Sequence, residues 1–165
     1  MKVLGLDVST VSTGWAVLTD GPTLGEYGLI PFEANTPEHK VSEKRKLVVF
    51  REVVKGLITK FSPDIVIIED TYVQFDPSVT KKLSRFAGVA IEGIASVNMD
   101  LTIVLLTTQS IRAALFPKQK MDKKAVRAKM IERYNLDPKT KDDITDAIAS
   151  SHYPLIKKVK DEWIV

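Results

Sequence analysis

Four acidic residues occupy positions where the sequence indicates a buried strand end or a shared helical face. Asp7 ends the first apolar segment of the chain, and Glu69 ends the most apolar one. Asp143 and Asp146 lie three residues apart, so their side chains share one face of a helix. Buried carboxylates cost free energy unless they are paired or bound to a metal ion. The four acids are therefore candidates for one metal site.

The chemistry expected of such a cluster is hydrolysis of a phosphodiester. Carboxylates that lie close together repel and raise one another's pKa, and divalent cations remove that cost. Mg²⁺ prefers carboxylate oxygens. Two such ions about 3.5–4 Å apart can activate a water molecule and stabilise the departing oxygen.

Each acid also has a simpler interpretation when it is taken alone. Asp7 and Glu69 are then the first solvated residues after their strands. Asp143 and Asp146 are then first-turn acids that stabilise the N-terminus of a helix. The metal site is predicted only if the four are brought together.

A basic segment runs from Arg112 to Arg133, in a chain whose net charge is only +3. Its acids are Asp122 and Glu132. Its basic residues are Arg112, Lys118, Lys120, Lys123, Lys124, Arg127, Lys129 and Arg133. Such a segment is a candidate contact for a polyanion, and the alternative is a solvated helix face. Beside an acidic metal site, it favours a nuclease whose lysines hold the phosphate backbone.

Length and composition indicate one globular domain over residues 1–165. The chain has 165 residues, of which 44% are hydrophobic and 27% charged, and it contains no cysteine. Disulfides, thiolate catalysis and cysteine-ligated metals are thereby excluded. No apolar run is long enough to cross a membrane, and the first residues do not resemble a signal peptide. We expect a cytoplasmic protein with no membrane partner.

Hydrophobic periodicity predicts the order βββ-α-β-α-β-α-α-α. The predicted strands are Lys2–Val8, Gly14–Thr19, Thr23–Phe32, Asp64–Glu69 and Leu101–Leu106. The predicted helices are Thr36–Phe61, Ser78–Asn98, Thr108–Leu115, Asp122–Tyr134 and Asp142–Lys158, the last bent or shortened at Pro154. Short turns make the first three strands antiparallel, and the later apolar strands suit a parallel arrangement. The predicted class is α/β, a mixed sheet with helices on both faces.

Four motifs resemble a known family. The segment LDVSTxxTGWA at 6–16 resembles the opening motif of RuvC-type Holliday junction resolvases, which belong to the RNase H-like superfamily. The segments IIE at 67–69, RFAGVAI at 85–91 and DxxDAxA at 143–149 resemble the later motifs, in the family's order and spacing. The resemblance is closest to the divergent members encoded by bacteriophages, which leaves a branch-migration motor as partner open.

The resemblance implies an RNase H-like fold with a five-stranded mixed sheet and two Mg²⁺ ions per site, with Mn²⁺ as an alternative. The implied metal-binding catalytic acids are Asp7, Glu69, Asp143 and Asp146, with Lys123 as a further catalytic residue. Tyr72, or its rival Phe75, takes the place of an aromatic side chain that wedges into the junction. The candidate DNA-binding residues are therefore Tyr72, Phe75, Arg112, Lys118, Lys120, Lys123, Lys124 and Arg127.

The function predicted from these features is a structure-selective endonuclease on branched DNA that acts as a homodimer. The helix Ser78–Asn98 is the candidate dimer surface, although its apolar stripe suits sheet packing equally well. One alternative is a non-catalytic module that binds branched DNA. Another is an actin-like ATP-binding domain, because segment 5–10 also resembles a phosphate-binding hairpin, but the chain is too short for two lobes.

Overall fold

A computed structural model describes residues 1–32, 41–70, 77–161 and 164–165. In that part of the chain, five strands form one sheet in the order β3-β2-β1-β4-β5. The strands are β1 (Lys2–Asp7), β2 (Ser12–Thr19), β3 (Thr23–Pro31), β4 (Ile65–Asp70) and β5 (Thr102–Thr107). β2 is antiparallel to both β1 and β3, whereas β4 is parallel to both β1 and β5. The predicted mixed sheet is confirmed.

Six helices accompany the sheet in the described residues. They are α1 (Glu43–Phe61), α2 (Pro77–Val97), α3 (Thr108–Leu115), α4 (Lys123–Tyr134), α5 (Asp142–Ser151) and α6 (Tyr153–Ile156). No helix in the described stretches is both long enough and apolar enough to cross a bilayer.

One predicted helix boundary is wrong, and another lies outside the described residues. The last helix does not reach Lys158, because α5 ends at Ser151 and a separate short helix follows. Pro154 lies in the first turn of that short helix, where its missing N–H is tolerated, and in a continuous helix it would remove a hydrogen bond. At the other end of the chain, extended Ser42 caps α1 through its hydroxyl, so this helix begins at Glu43. The predicted start at Thr36 lies outside the described residues.

Helices cover both faces of the sheet, as predicted, because the strand side chains alternate. Leu4 and Leu6 pack with Phe50 and Phe86, under α1 and α2. On the opposite face, strand residues such as Val3 and Ile67 pack with buried side chains from α3 to α6. The apolar strands are thus buried on both sides, which accounts for their unbroken hydrophobic runs.

Helix α5 lies unusually close to the sheet because two strand residues are glycines. A methyl group on Gly5 would lie 2.4 Å from the carbonyl oxygen of Ala147. A methyl group on Gly14 would lie 1.9 Å from the carbonyl oxygen of Asp143. Any larger residue at either position would push the helix outward, so the two glycines determine how closely α5 approaches β1 and β2.

A buried histidine joins the ends of α4 and α5. His152 is fully buried, and its Nδ1 donates to the carbonyl of Ile148 at 2.8 Å. Its Nε2 lies 2.7 Å from the hydroxyl oxygen of Tyr134, and that hydroxyl donates to the carbonyl oxygen of Pro22 at 3.0 Å. Burial lowers the pKa of His152 to about 4. The side chain therefore stays neutral inside the protein at a pH where a solvated histidine takes up a proton.

We expect this histidine to weaken the fold at acid pH. The unfolded chain protonates His152 near pH 6.5, whereas the folded protein does so only near pH 4. The free energy of unfolding should therefore fall by about 2 kcal/mol between pH 7 and pH 5 because of this group. Urea titrations of the wild type and of His152→Gln at both pH values test this. The variant should lose less stability on acidification, and an equal loss in both proteins would contradict the prediction.

Candidate active site

The ends of two neighbouring parallel strands bring the first two acids together. In the ladder between β1 and β4, Leu6 lies opposite Ile68. Asp7 and Glu69 come next in each strand, so they lie side by side at the carboxyl edge of the sheet. This edge of an α/β sheet is where ligands bind, because the strand ends leave a crevice there.

Helix α5 brings the other two acids to the same edge. Gly14 pairs with Asp7 in the sheet, and its Cα touches the backbone of Asp143. The hydroxyl of Ser12 donates to the Asp143 carboxylate. One turn further along, Asp146 is almost fully buried and pairs with Nζ of Lys123 at 3.0 Å. The structure thus places all four predicted acids, together with Lys123, around one crevice.

The charges of these residues act strongly on Asp7. Burial raises the pKa of the Asp7 carboxyl well above its usual range, and the neighbouring charges of Glu69, Asp146 and Asp143 raise it further. The positive charge of Lys123 opposes this effect only in part. These interactions place the carboxylate of Asp7 near those of the other three acids, and a divalent cation would relieve the repulsion between them.

Burial is also the largest cause of the raised pKa values of two further acids, Glu69 and Asp146. It raises the pKa of Glu69, although a hydrogen bond from the hydroxyl of Thr108 lowers it. It raises the pKa of Asp146, although Lys123 and Arg112 lower it. The charge of Arg112 acts on both carboxylates, so this predicted DNA-binding residue lies beside the acids.

The four carboxylates are suitable ligands for a divalent cation, and the carboxylate of Asp7 is available to bind one because it accepts no hydrogen bond from a described side chain. Ser12, Thr108 and Lys123 each donate to one acid, but no side chain in the described ranges donates to Asp7. Within those ranges, no three acidic or histidine side chains are already arranged as a metal site. A cation would therefore have to replace Lys123 or a hydroxyl at some of these oxygens. Hard oxygen donors of this kind suit Mg²⁺ or Mn²⁺.

The other predicted DNA-binding residues have different surroundings. Lys118 and Lys120 are exposed in the turn between α3 and α4, where Lys118 adopts a positive φ of 76°. Lys124 is exposed in the first turn of α4. Tyr72 and Phe75 lie outside the described residues.

The guanidinium group of Arg127 makes its contacts within the protein. Its Nη2 donates to the carbonyl oxygens of Pro138 at 2.6 Å and of Thr140 at 3.0 Å. Its Nε lies 3.0 Å from the Asp142 carboxylate at the start of α5. Lys141, the residue before this helix, makes no side-chain cap. Arg127 therefore holds the loop that sets the position of the acid-bearing first turn of α5.

We expect Arg127→Met to separate positioning from DNA binding. The change keeps the aliphatic stem but removes every donor, so the start of α5 loosens. We expect the cleavage rate constant to fall about 10- to 100-fold, because small displacements of catalytic groups have effects of this size. The dissociation constant for branched DNA and its salt dependence should not change.

The matched control for this prediction is Lys124→Met, which removes an exposed cation from the same helix. It should weaken DNA binding and leave the rate constant at saturation unchanged. If Arg127→Met instead lowers affinity and salt dependence, then Arg127 contacts DNA directly.

Sequence reasoning missed the residues that hold the acids. The hydroxyl of Thr108, the first residue of α3, donates to the Glu69 carboxylate; it lies two residues after Leu106, which is opposite Glu69 in the sheet. The parallel register of the two apolar runs could have indicated this pair. The contact of Ser12 with Asp143 could not have been predicted in this way, because Ser12 is one of several hydroxyl residues in a polar turn.

Comparisons with known proteins agree with this geometry. A profile of the family "Crossover junction endodeoxyribonuclease RuvC" matches residues 3–152. The chain is 27% identical to the protein of that name from Wigglesworthia glossinidia brevipalpis, over 96% of this chain and 97% of the relative. It is 32% identical to the one from Wolinella succinogenes, over 90% of each.

Solved structures show the same fold at lower sequence identity. Thermus thermophilus RuvC in complex with a Holliday junction superposes with a TM-score of 0.74 at 15% identity, over 92% of this chain and 90% of that one. The yeast mitochondrial Holliday junction resolvase superposes with a TM-score of 0.63 at 12% identity, over 90% of this chain and 75% of that one. The predicted RNase H-like fold is confirmed. The two sequence relatives are bacterial, and the likeness to phage-encoded members stays a prediction.

Proposed function

Since the chain belongs to the RuvC family of crossover junction endodeoxyribonucleases, we propose that it cuts four-way DNA junctions by metal-dependent hydrolysis of the phosphodiester backbone. Membership of this family sets aside the actin-like alternative. The observation that carries the proposal is the crevice of four acids in which Asp7, crowded by like charges, has no donor among the described residues.

Each acid has a role that follows from its position. Asp7 and Glu69 would hold the cations from the rigid strand ends, and Asp143 and Asp146 would hold them from α5. Two bound cations would supply an activated water and stabilise the departing oxygen. Lys123 and the hydroxyls of Ser12 and Thr108 contact three of these carboxylates and would give up some of those contacts when cations bind.

The basic residues beside the acids would hold the cut strand. Arg112 and Lys123 lie next to the acids, and Lys118, Lys120 and Lys124 extend the positive surface outward along the turn and α4. Contacts to phosphate position the substrate without reading its sequence. We extend the proposal to Tyr72 or Phe75 as the aromatic contact to the junction, on the family resemblance alone.

A homodimer would place two such sites on one junction. On α2, the buried side chains Phe86, Ala90 and Ile94 face the protein core. A second row at helical spacing is only half-buried and forms the candidate dimer surface: Leu83, Ala87, Ile91 and Ala95. A twofold axis through this row would present two identical crevices, as paired cuts require.

The test is an electrophoretic assay with a labelled four-way junction, in Mg²⁺, in Mn²⁺ and in EDTA. Paired nicks that appear only with a divalent cation would support the proposal. A mobility shift without nicks in any metal would replace it with the non-catalytic binding module. Sedimentation of the protein without DNA would show whether it is a dimer.

Lys123 has a prediction of its own. Burial alone would lower the pKa of Lys123, but its contact with Asp146 and the charge of Asp7 raise it on balance, so the side chain stays cationic. We expect Lys123→Gln to lower the cleavage rate about 10- to 100-fold, because a charge beside the reacting phosphate is lost. Single-turnover rates on a junction at saturating protein measure this. Unchanged rates would show that the charge of Lys123 does not contribute to cleavage.

A further inference from the structure

A second positive surface lies on the opposite face of the sheet from α3 and α4. It is formed by the first turn of α1 and by residues 81–85 in the N-terminal half of α2, and we name it the α1–α2 basic surface. Its cations are Lys44, Arg45, Lys46, Lys81, Lys82 and Arg85. Glu43 is the only acid within the segments 43–46 and 81–85. Surface charges of both signs are normally interspersed, so a field of one sign indicates a polyanionic partner.

The two helix ends form one continuous surface. Nη1 of Arg85 pairs with the carboxylate of Glu43 at 2.7 Å, which ties α2 to α1. Between them lies an open cleft of about 320 Å³. Lys46 and Lys82 line this cleft together with Thr10 of the turn that follows Asp7.

The cations of this surface differ from those further along α1. Arg51 pairs with Glu52 and Glu92, and Lys60 pairs with Glu26. In the part of the chain that the structure describes, no acid pairs with the four lysines of the surface, which are Lys44, Lys46, Lys81 and Lys82. Within the described part of α1, the lysines without an acid partner are therefore those of its first turn, Lys44 and Lys46, whereas Lys55 and Lys60 are paired.

The position of the surface identifies its partner as DNA. Thr10 lies three residues after Asp7, which is the last residue of β1. The cleft that Thr10 lines therefore borders the carboxyl edge of the sheet, where the acids lie. The basic turn between α3 and α4 borders the same acids from the other face of the sheet. The acids thus lie between two positive surfaces that face in different directions. A single straight duplex cannot follow both, whereas a branched substrate can.

We propose that the α1–α2 basic surface binds the phosphate backbone of a second arm of the branched DNA, one that does not contain the cut phosphate. This assignment rests on the proposed function, because it requires branched DNA at the acids. Lys46 and Lys82 are the central contacts, since they line the cleft on both sides. The surface selects for branching by adding contacts that a linear duplex cannot reach.

The experiment compares Lys46→Gln/Lys82→Gln with a control of equal charge, Lys157→Gln/Lys158→Gln. The control lysines are exposed and follow α6, beyond the end of α5 that is remote from the acids. Binding of a four-way junction and of a linear duplex of the same length is measured by fluorescence anisotropy in Ca²⁺, over a range of salt concentrations. Single-turnover cleavage of the junction in Mg²⁺ is measured in parallel.

We expect the double variant to bind the junction about 10- to 100-fold more weakly, with a salt slope smaller by about two. Duplex binding and the single-turnover rate at saturating protein should stay within about twofold of the wild type, as should every value for the control pair. Unchanged junction affinity, or an equal loss on the duplex, would overturn the assignment. Failure of the wild type to cut junctions would instead overturn the proposed function, so the two failures are distinguishable.

Discussion

Asp7→Asn is expected to reduce metal-dependent junction cleavage by at least about 1,000-fold, equivalent to about 4 kcal/mol of transition-state stabilisation. Asparagine has nearly the same shape but no charge, so its neutral amide would be a weaker ligand for a divalent cation than the carboxylate. Asp7 is the acid that the other three surround, so its loss affects the centre of the site. Junction binding in Ca²⁺ should persist, because phosphate contacts come from the basic residues.

The same change should stabilise the protein when no metal is present. Burial and three neighbouring acids raise the pKa of Asp7, so its charged form is unfavourable in the folded state at neutral pH. Removing that charge should raise the free energy of unfolding by about 1–2 kcal/mol, or the melting temperature by about 2–8 °C. Added Mg²⁺ should raise the melting temperature of the wild type more than that of the variant.

The control for Asp7→Asn is Asp100→Asn, the same substitution at an exposed carboxylate. Neither its cleavage rate nor its melting temperature should change. A calorimetric scan of the three proteins, with and without Mg²⁺, measures the stability effects independently of activity. A lower melting temperature for metal-free Asp7→Asn would contradict the prediction. It would show that the Asp7 carboxylate stabilises the folded state instead of destabilising it.

Gly14→Ala is expected to damage both stability and activity, although Gly14 carries no chemistry. The added methyl group would lie 1.9 Å from a backbone oxygen of Asp143, which has no rotamer through which to move aside. The first turn of α5 must therefore shift away from β2. Overpacking of this kind costs about 1–3 kcal/mol, or about 2–12 °C in melting temperature. Since the shifted turn carries two of the acids, cleavage should fall at least about 100-fold.

Gly56→Ala provides the control for Gly14→Ala. Gly56 is exposed within α1, and a methyl group there would meet nothing within 4 Å. Alanine is the better helix former by about 1 kcal/mol, so this variant should be slightly more stable and fully active. The melting temperatures of the two variants should therefore shift in opposite directions from that of the wild type, and only Gly14→Ala should lose cleavage activity. Wild-type activity in Gly14→Ala would show that the approach of α5 does not set the acid geometry.

The strands and the acids at their ends could both be predicted from the sequence, because the strands are continuous apolar segments. Buried parallel strands must be apolar throughout, so an acid such as Glu69 at the end of such a run stands out. Asp143 and Asp146 were recognisable because helical spacing places them on one face. The family resemblance then placed these acids with Asp7 in one site, and the structure brings them together.

Other features were not predictable because they depend on contacts between distant segments. Arg127 belongs to a run of basic residues, and nothing in that run indicates that its guanidinium binds the carbonyls of a loop. Gly14 has an ordinary strand position, and only the approach of α5 makes a side chain impossible there. The end of α5 at Ser151 was misplaced because Pro154 is compatible with either a kink or a new helix.

The late position of α5 in the chain has a consequence for synthesis on the ribosome. Residues 1–107 contain all five strands, so a nascent chain can begin to build the sheet while residues 142–151 are still inside the exit tunnel. During that interval the polypeptide holds its basic surfaces but only half of its acids. It is therefore expected to attach to DNA before it acquires the capacity to break it, and premature termination ahead of α5 would release a fragment that cannot cut.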